Sequence, residues 1–272
     1  MKVGVPLFRL AQSAQDQAFR LVYYCKLAST NDEALARARV GDEGRLWIVA
    51  ATQTAGRGRN GRTWTSPPGN LYASLLMLDP APPHKAAELG FVAGVAAAHA
   101  LREILRGDSR VKIKWPNDIV YDSAKLCGIL LEGTSLPNGR FGCAAGIGIN
   151  CRTHPKNTLF PATDLTTAAN HPAEPEAVFC ELSASMAHWL GVWDRGMGFA
   201  AIRREWLSLA AGVGAPVSVA LPSQMVHGTF QTIDAAGRLI VLQEAGAFPV
   251  EAGDVFFPPQ PMSGRGTAKA AG

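Results

Sequence analysis

The chain has 272 residues, a formal net charge of +4 and a hydrophobic fraction of 47%. That length suits one large domain, or a medium domain with a small companion, and the apolar content is enough for a real core. So small a net charge does not by itself imply nucleic acid, and the longest apolar run, 89–98, is bounded by Glu88 and His99 and is too short to span a membrane. The five cysteines (Cys25, Cys127, Cys143, Cys151 and Cys180) include no C-x-x-C pair, which points to buried, reduced thiols in a cytoplasmic protein. Residues 1–15, interrupted by Pro6 and Arg9, lack the apolar stretch of a signal peptide.

In chain order, 23–27 reads as a short strand. Ser29-Thr30-Asn31 then opens a helix to Gly41, with Thr30 and Glu33 in capping-box spacing. Such a triplet either caps the helix and nothing more, or lines a polar pocket at its N-terminus. The run 46–51 (LWIVAA) is a strand leading into the stretch 53–74, QTAGRGRNGRTWTSPPGNLYAS. Between Glu43 and Asp79 there is no acid, while Arg45, Arg57, Arg59 and Arg62 are all present. Glycines let backbone N–H groups approach an anion, and arginines add forked donors that match phosphate or carboxylate, so the loop reads as waiting for an anion from outside. Gly56, Gly58 and Gly61 also match a dinucleotide-binding fingerprint. That reading fails on context, because Pro67-Pro68-Gly69 follows where a helix would have to begin.

A second strand covers 70–78, and Asp79-Pro80-Ala81-Pro82-Pro83 stops it. Residues 85–106 form a long helix ended by Gly107, in which His99 reads as a packed side chain. Strands follow at 111–114, which puts Lys112 and Lys114 on one side, and at 119–121, 125–132 and 140–150. Trp115-Pro116-Asn117-Asp118 breaks the first two apart. Glycines weaken the last strand unless something must approach its backbone closely. Lys114, Asn117, Lys125 and the Gly146–Asn150 end could therefore face one cleft. The stretch 151–175 reads as loop with a short helix near Leu165, and 176–190 and 199–209 as amphipathic helices covering the sheet. From Gly214 the pattern changes to short β runs at 216–221, 225–233, 238–243 and 247–251, with a turn at Asp234–Gly237, which suggests a small SH3-like barrel. Residues 258–272 have the composition of a disordered tail.

Ser29-Thr30-Asn31, GRGRNGRTWTSPPGNLYAS, KWPNDIVYDSAKLCGIL and GIGIN ending at Asn150 together resemble the bacterial biotin protein ligases, over roughly residues 23 to 257. The resemblance implies an α+β fold, a mixed and mainly antiparallel sheet flanked by helices of the kind found in class II aminoacyl-tRNA synthetases. The catalytic domain would span 1–210 and the SH3-like barrel 211–257. It also implies a reaction. Biotin's carboxylate attacks the α-phosphate of ATP, with Mg²⁺, to give biotinyl-5'-AMP, and a lysine of a biotin carboxyl carrier domain then takes the biotin.

Carried over onto this sequence, Ser29, Thr30, Asn31 and Gln53 would meet the ureido ring, and Arg57, Gly58, Arg59 and Lys125 the carboxylate side. Arg59, Arg62, Trp64, Lys114, Asn117 and Asn150 would serve ATP or the adenylate. Arg57, Arg59, Lys125 and Asp118 would carry the chemistry, Asp118 orienting or deprotonating the attacking amine, and Asn117 or Asp118 helping to place Mg²⁺. No protein-held metal is implied. Some relatives bear an N-terminal winged helix. Here the first catalytic strand is reached by about residue 23, so DNA is not an expected partner, nor is a membrane; pairing of two copies through strand edges stays open.

Two alternatives remain. A lipoate–protein ligase shares the fold and the adenylate chemistry, but its ligand offers no ureido-like hydrogen bonds, and the family's Arg-Arg and Gly-Gly-Gly motif is missing. An oligonucleotide-binding protein using the Gly-Arg loop would need salt-sensitive binding, for which no further basic stripe is present.

Overall fold

The structure is a computed structural model that describes residues 8–156, 158 and 160–257. The expected tail at 258–272 lies outside the described residues. The described chain divides into two compact units: one runs to Ala211 and takes in Ala235–Gly237, and the other holds Gly212–Asp234 and the chain from Arg238 onward.

The first unit begins with a short helix α1 (Gln12–Gln15), not expected from the sequence, and strand β1 (Arg20–Tyr24). Then come helix α2 (Thr30–Arg39) and strands β2 (Leu46–Ala50) and β3 (Leu71–Leu78). Helix α3 (Leu89–Ile104) leads to β4 (Val111–Lys114), β5 (Asp118–Tyr121), β6 (Ala124–Ser135) and β7 (Phe141–Ile149). Helices α4 (Leu165–Ala169), α5 (Pro175–Trp193) and α6 (Phe199–Leu209) complete it. The seven strands lie in the order β1-β2-β3-β7-β6-β5-β4. Only β1 and β2 run parallel, joined through α2; the other pairs are antiparallel. The sheet is thus mixed and mainly antiparallel, as expected.

Period two along the strands decides what each face meets. Leu46 and Ile48 of β2 pack with Leu76 and Ala144 under Ala34, Leu35 and Ala38 of α2. Trp47, between them, turns to the opposite face and meets Phe179 of α5 edge-on, with ring centroids 5.5 Å apart. On β7, Gly142, Ala144, Gly146 and Gly148 fall on the α2 face, where a Cβ at Gly142 would already stand 3.0 Å from that of Ala38. These small residues leave room for the helix and for the Gly-Arg loop.

Three expectations shift. The first strand is β1 at Arg20–Tyr24 rather than 23–27, because its parallel register with β2 pairs Arg20 with Leu46 and Tyr24 with Ala50. The cap of α2 is Ser29, whose hydroxyl accepts from the Asp32 N–H at 3.3 Å; Glu33 bonds Tyr24 and Arg37 instead of closing a box with Thr30. The long helix expected over 85–106 is instead a 3-10 stretch, Pro83–Glu88, followed by α3, a common way for a helix to begin. No described helix is long and apolar enough to cross a membrane.

The second unit is a five-stranded antiparallel sheet of β8 (Pro216–Ala220), β9 (Met225–Ile233), β10 (Leu239–Gln243), β11 (Gly246–Val250) and β12 (Asp254–Phe256). Its order is β11-β10-β9-β8-β12, and its core holds Val219, Phe230, Ile233, Leu239 and Val241. Asp234 accepts the Arg238 N–H at the β9–β10 turn. This is the small C-terminal β unit expected from the sequence, seen among the described residues as an antiparallel sheet in which no ladder joins β11 to the three-residue β12.

Candidate active site

Several of the expected site residues meet on the α2 face of the first unit's sheet. The N-terminus of α2 meets the start of the Gly-Arg loop in a neutral network. Gln53 Oε1 accepts from the Thr30 N–H at 2.8 Å and from Thr30 Oγ1 at 3.1 Å, and Gln53 Nε2 donates to Ser66 Oγ at 3.1 Å. Ser74 Oγ, on β3, lies 2.7 Å from Thr30 Oγ1 and 2.6 Å from Asn31 Oδ1. Asn31 Nδ2 donates to Leu130 O and, at 2.7 Å, to Glu132 Oε2. Ser29, Thr30, Asn31, Ser66 and Ser74 are all buried. A buried polar group without a partner would cost about 1–3 kcal/mol, and this interlocked set avoids that penalty while holding each group in place.

The loop is a small hairpin. Gly58 N–H donates to Arg62 O at 2.7 Å, Trp64 N–H to Gly56 O at 2.9 Å, and Arg57 and Thr63 form a bridge. Asn60 and Gly61 turn its tip with positive φ. Gly56 has no space for a side chain, since a Cβ would stand 2.6 Å from Trp64 O and 2.7 Å from Ser66 Oγ. The Trp64 ring lies across the floor of the sheet. Added Cβ atoms would meet it at 2.6 Å from Gly148 and 2.9 Å from Gly128, two residues paired across β7 and β6. The approach expected at the glycines of β7 is therefore made by Asn31 at Gly146 and Trp64 at Gly148.

Cations surround this floor, and most have partners within the chain. Arg57 makes a bidentate pair with Asp32, Nη1 to Oδ2 at 2.8 Å and Nη2 to Oδ1 at 2.6 Å, and reaches Glu132 at 3.3 Å. The hydrogen bonds that Arg57 donates hold the Asp32 carboxyl below its usual range, and the same bonds, with the charge of Glu132, push the Arg57 guanidinium higher still. Lys125 Nζ lies 2.7 Å from Asp118 Oδ1 and 5.3 Å from the Trp64 ring centre. Arg59 Nη1 reaches Asn117 Oδ1 at 3.4 Å, while Asn117 Nδ2 donates to Ile129 O. The expectation that the loop's arginines await an outside anion is thus altered at Arg57, because acids from α2 and β6 reach into the acid-free window.

Two expected residues are engaged elsewhere. Asn150 is buried, with its Nδ2 on Thr163 O at 3.0 Å, and so ties down the segment before α4. Lys114 Nζ lies 4.0 Å from the centre of the Phe160 ring. Arg62 contributes its backbone to the hairpin. Sequence reasoning missed Asp32, Glu132, Ser66 and Ser74; of these only Asp32, adjoining the Ser-Thr-Asn triplet, had a local signal. Among the described residues no three His, Cys, Asp or Glu side chains cluster as metal ligands. Cys127, Cys143 and Cys151 are buried, and burial pushes the thiols of Cys143 and Cys151 up to about 12; Cys25 is exposed, contrary to expectation.

Comparison with known proteins places this geometry. The family model described as the Biotin/lipoate A/B protein ligase family matches residues 24–150, and that of the biotin protein ligase C terminal domain matches 212–257. A biotin--[acetyl-CoA-carboxylase] ligase of Paracoccus denitrificans is 37% identical over 234 residues, 84% of this chain and 97% of its own. The bifunctional ligase/repressor BirA of Bacillus subtilis is 28% identical, over 86% of this chain and 73% of its own. The biotin protein ligase of Aquifex aeolicus, solved in complex with biotin and ATP, superposes with a TM-score of 0.75 at 25% identity, covering 88% of this chain and 99% of that one. The chain belongs to the biotin protein ligases of the biotin/lipoate A/B protein ligase family.

Proposed function

We propose that the protein joins biotin to a lysine of the biotin carboxyl carrier domain of acetyl-CoA carboxylase in two steps at this site. The observation that carries the reading is the juxtaposition of a buried, neutral hydrogen-bonding network at Thr30, Asn31 and Gln53 with the cations of the Gly-Arg loop and Lys125. A cyclic urea needs neutral donors and acceptors; a carboxylate meeting a triphosphate needs cations to offset repulsion and developing charge.

In the first step a biotin carboxylate oxygen attacks the α-phosphorus of ATP. The bond to the bridging oxygen breaks, and pyrophosphate leaves with its electron pair. Arg59 and Lys125 are positioned to balance that charge. In the second step the carrier lysine's amine attacks the acyl carbon, its proton passes to Asp118 or to solvent, and the acyl carbon–oxygen bond breaks as AMP departs with its electron pair. Asp118, 2.7 Å from Lys125, is the carboxylate available to orient that amine. The hairpin over the floor would keep water from the mixed anhydride. Mg²⁺ would enter with the nucleotide and neutralise phosphate charge, with Asn117 or Asp118, which here meet Arg59 and Lys125, available to help place it. A cytoplasmic location is part of the same proposal.

The test is ATP–pyrophosphate exchange with Mg²⁺ and biotin, lipoate or neither. Exchange with biotin alone is expected. Exchange only with lipoate would overturn the substrate, and none with either, from folded protein, would overturn the reaction.

A further inference from the structure

Arg57 is held by two acids from two different elements. Asp32 lies in the first turn of α2 and closes both oxygens on the guanidinium, at 2.8 and 2.6 Å. Glu132 lies on β6, its two oxygens 3.3 and 3.4 Å from Nη2. Glu132 Oε2 is at the same time the acceptor of Asn31 Nδ2, so one carboxylate touches both the loop and the polar pocket. Backbone bonds at Gly56 and Gly58 flank Arg57 on either side. Helix, strand and hairpin therefore meet at a single side chain.

The charges of this cluster do not favour an incoming anion. One guanidinium and two carboxylates sum to a net negative charge, whereas Arg59 faces a neutral amide in Asn117. A substrate carboxylate that used Arg57 as its counter-ion would have to displace Asp32 from a bidentate pair, the geometry in which a guanidinium binds a carboxylate most strongly.

We propose that Asp32 and Glu132 are positioning residues that clamp Arg57, and through it fix the Gly56–Gly58 backbone beside the polar pocket. Arg57 then holds the loop instead of the substrate's charge. The clamp sets how tightly the first substrate is held, and leaves the phosphoryl chemistry to Arg59 and Lys125. The identity of that substrate rests on the ligase reading above; the clamp itself does not.

Two readouts on the full chain separate the two. Trypsin cuts after arginine, so cleavage at Arg57, Arg59 and Arg62 reports opening of the hairpin without any substrate. Asp32→Asn keeps shape and removes charge, and Glu132→Gln keeps an acceptor for Asn31. A partly exposed ion pair contributes about 0.2–1 kcal/mol, so loop cleavage is expected to quicken roughly one-and-a-half- to fivefold in Asp32→Asn and up to about tenfold in the double variant. Asp32→Glu, which keeps the charge, should return it to within about twofold of the native chain. In the exchange assay the biotin KM should rise by a similar factor, with kcat and the ATP KM moving by less than about twofold.

Unchanged loop cleavage in both single variants would overturn the clamp, as would a fall in kcat at constant biotin KM. If Asp32→Asn fails to fold, Glu132→Gln alone decides, since it leaves α2 intact. A native chain without biotin-dependent exchange would sink the ligase reading, and the trypsin result would still decide the clamp.

Discussion

Replacing Gly146 by alanine tests whether the polar pocket is held by packing as tightly as its hydrogen bonds imply. Gly146 sits between Ser74 of β3 and Leu130 of β6. An added Cβ would stand 3.0 Å from Cγ and Nδ2 of Asn31 and closer still to its Oδ1. Asn31 is buried, and its backbone is fixed behind the Ser29 cap, so the side chain would have to leave its partners. It would lose the bonds to Leu130 O at 3.2 Å and Glu132 at 2.7 Å, and the contact with Ser74. Each such bond contributes about 0.5–1.5 kcal/mol, and overpacking a filled site costs about 1–3 kcal/mol. Part of the second is relieved when the first is lost, so the expected cost is about 2–4 kcal/mol. For a domain of this size that lowers Tm by roughly 5–12 °C. Thermal melting followed by circular dichroism, with biotin titration by calorimetry, reads both stability and the pocket, and biotin binding should weaken at least about tenfold. Gly191→Ala is the control: it lies in α5 with nothing within 4 Å of the added Cβ, and should leave Tm unchanged or slightly raised. A Gly146→Ala variant melting within about 1 °C of the native chain, with unaltered biotin binding, would refute the packing argument.

The other predictions concern charge. Arg59→Ala should slow biotin-dependent pyrophosphate exchange at least tenfold, since a charge-assisted contact is worth roughly 1.5–3 kcal/mol; native rates would remove the loop tip from the site. Lys125→Ala, which strips Asp118 of its partner at 2.7 Å, should damage adenylate formation while the melting curve stays close to native, and a chain that no longer folds would make Lys125 structural instead. Asp164 is buried at the cap of α4; burial raises its pKa, but the Thr167 N–H and His154 more than offset this, and the carboxyl titrates below its ordinary value. Its contribution to stability is therefore complete above about pH 3.9, the ordinary aspartate value, and lost as pH falls through the lower folded value. Acid unfolding of Asp164→Asn should lack that part of the pH dependence, and identical slopes for both chains would count against it.

How much of this was legible in the sequence depends on whether the cause is local. Period two placed Lys112 and Lys114 on one side of β4, and the turn residues at Asp234–Gly237 marked the β9–β10 hairpin; each signal lies within a few residues. The glycines of β7 announced that something approaches the backbone, but its identity came from distant segments, Asn31 from α2 and Trp64 from the loop. The cap of α2 was misplaced by one residue because Ser29 and Thr30 can both accept a bond from a helix N-terminus, and the choice falls to Gln53 and Ser74, which claim the Thr30 hydroxyl. The absence of acid between Glu43 and Asp79 was a correct reading of composition and a poor guide to charge balance. Side-chain ion pairs form through space, and the sheet brings Glu132 of β6 to a guanidinium whose own neighbours in sequence are all neutral or basic. A basic, glycine-rich loop therefore signals a place where anions gather; whether those anions belong to the ligand or to the protein is decided by the strands on which the loop is folded.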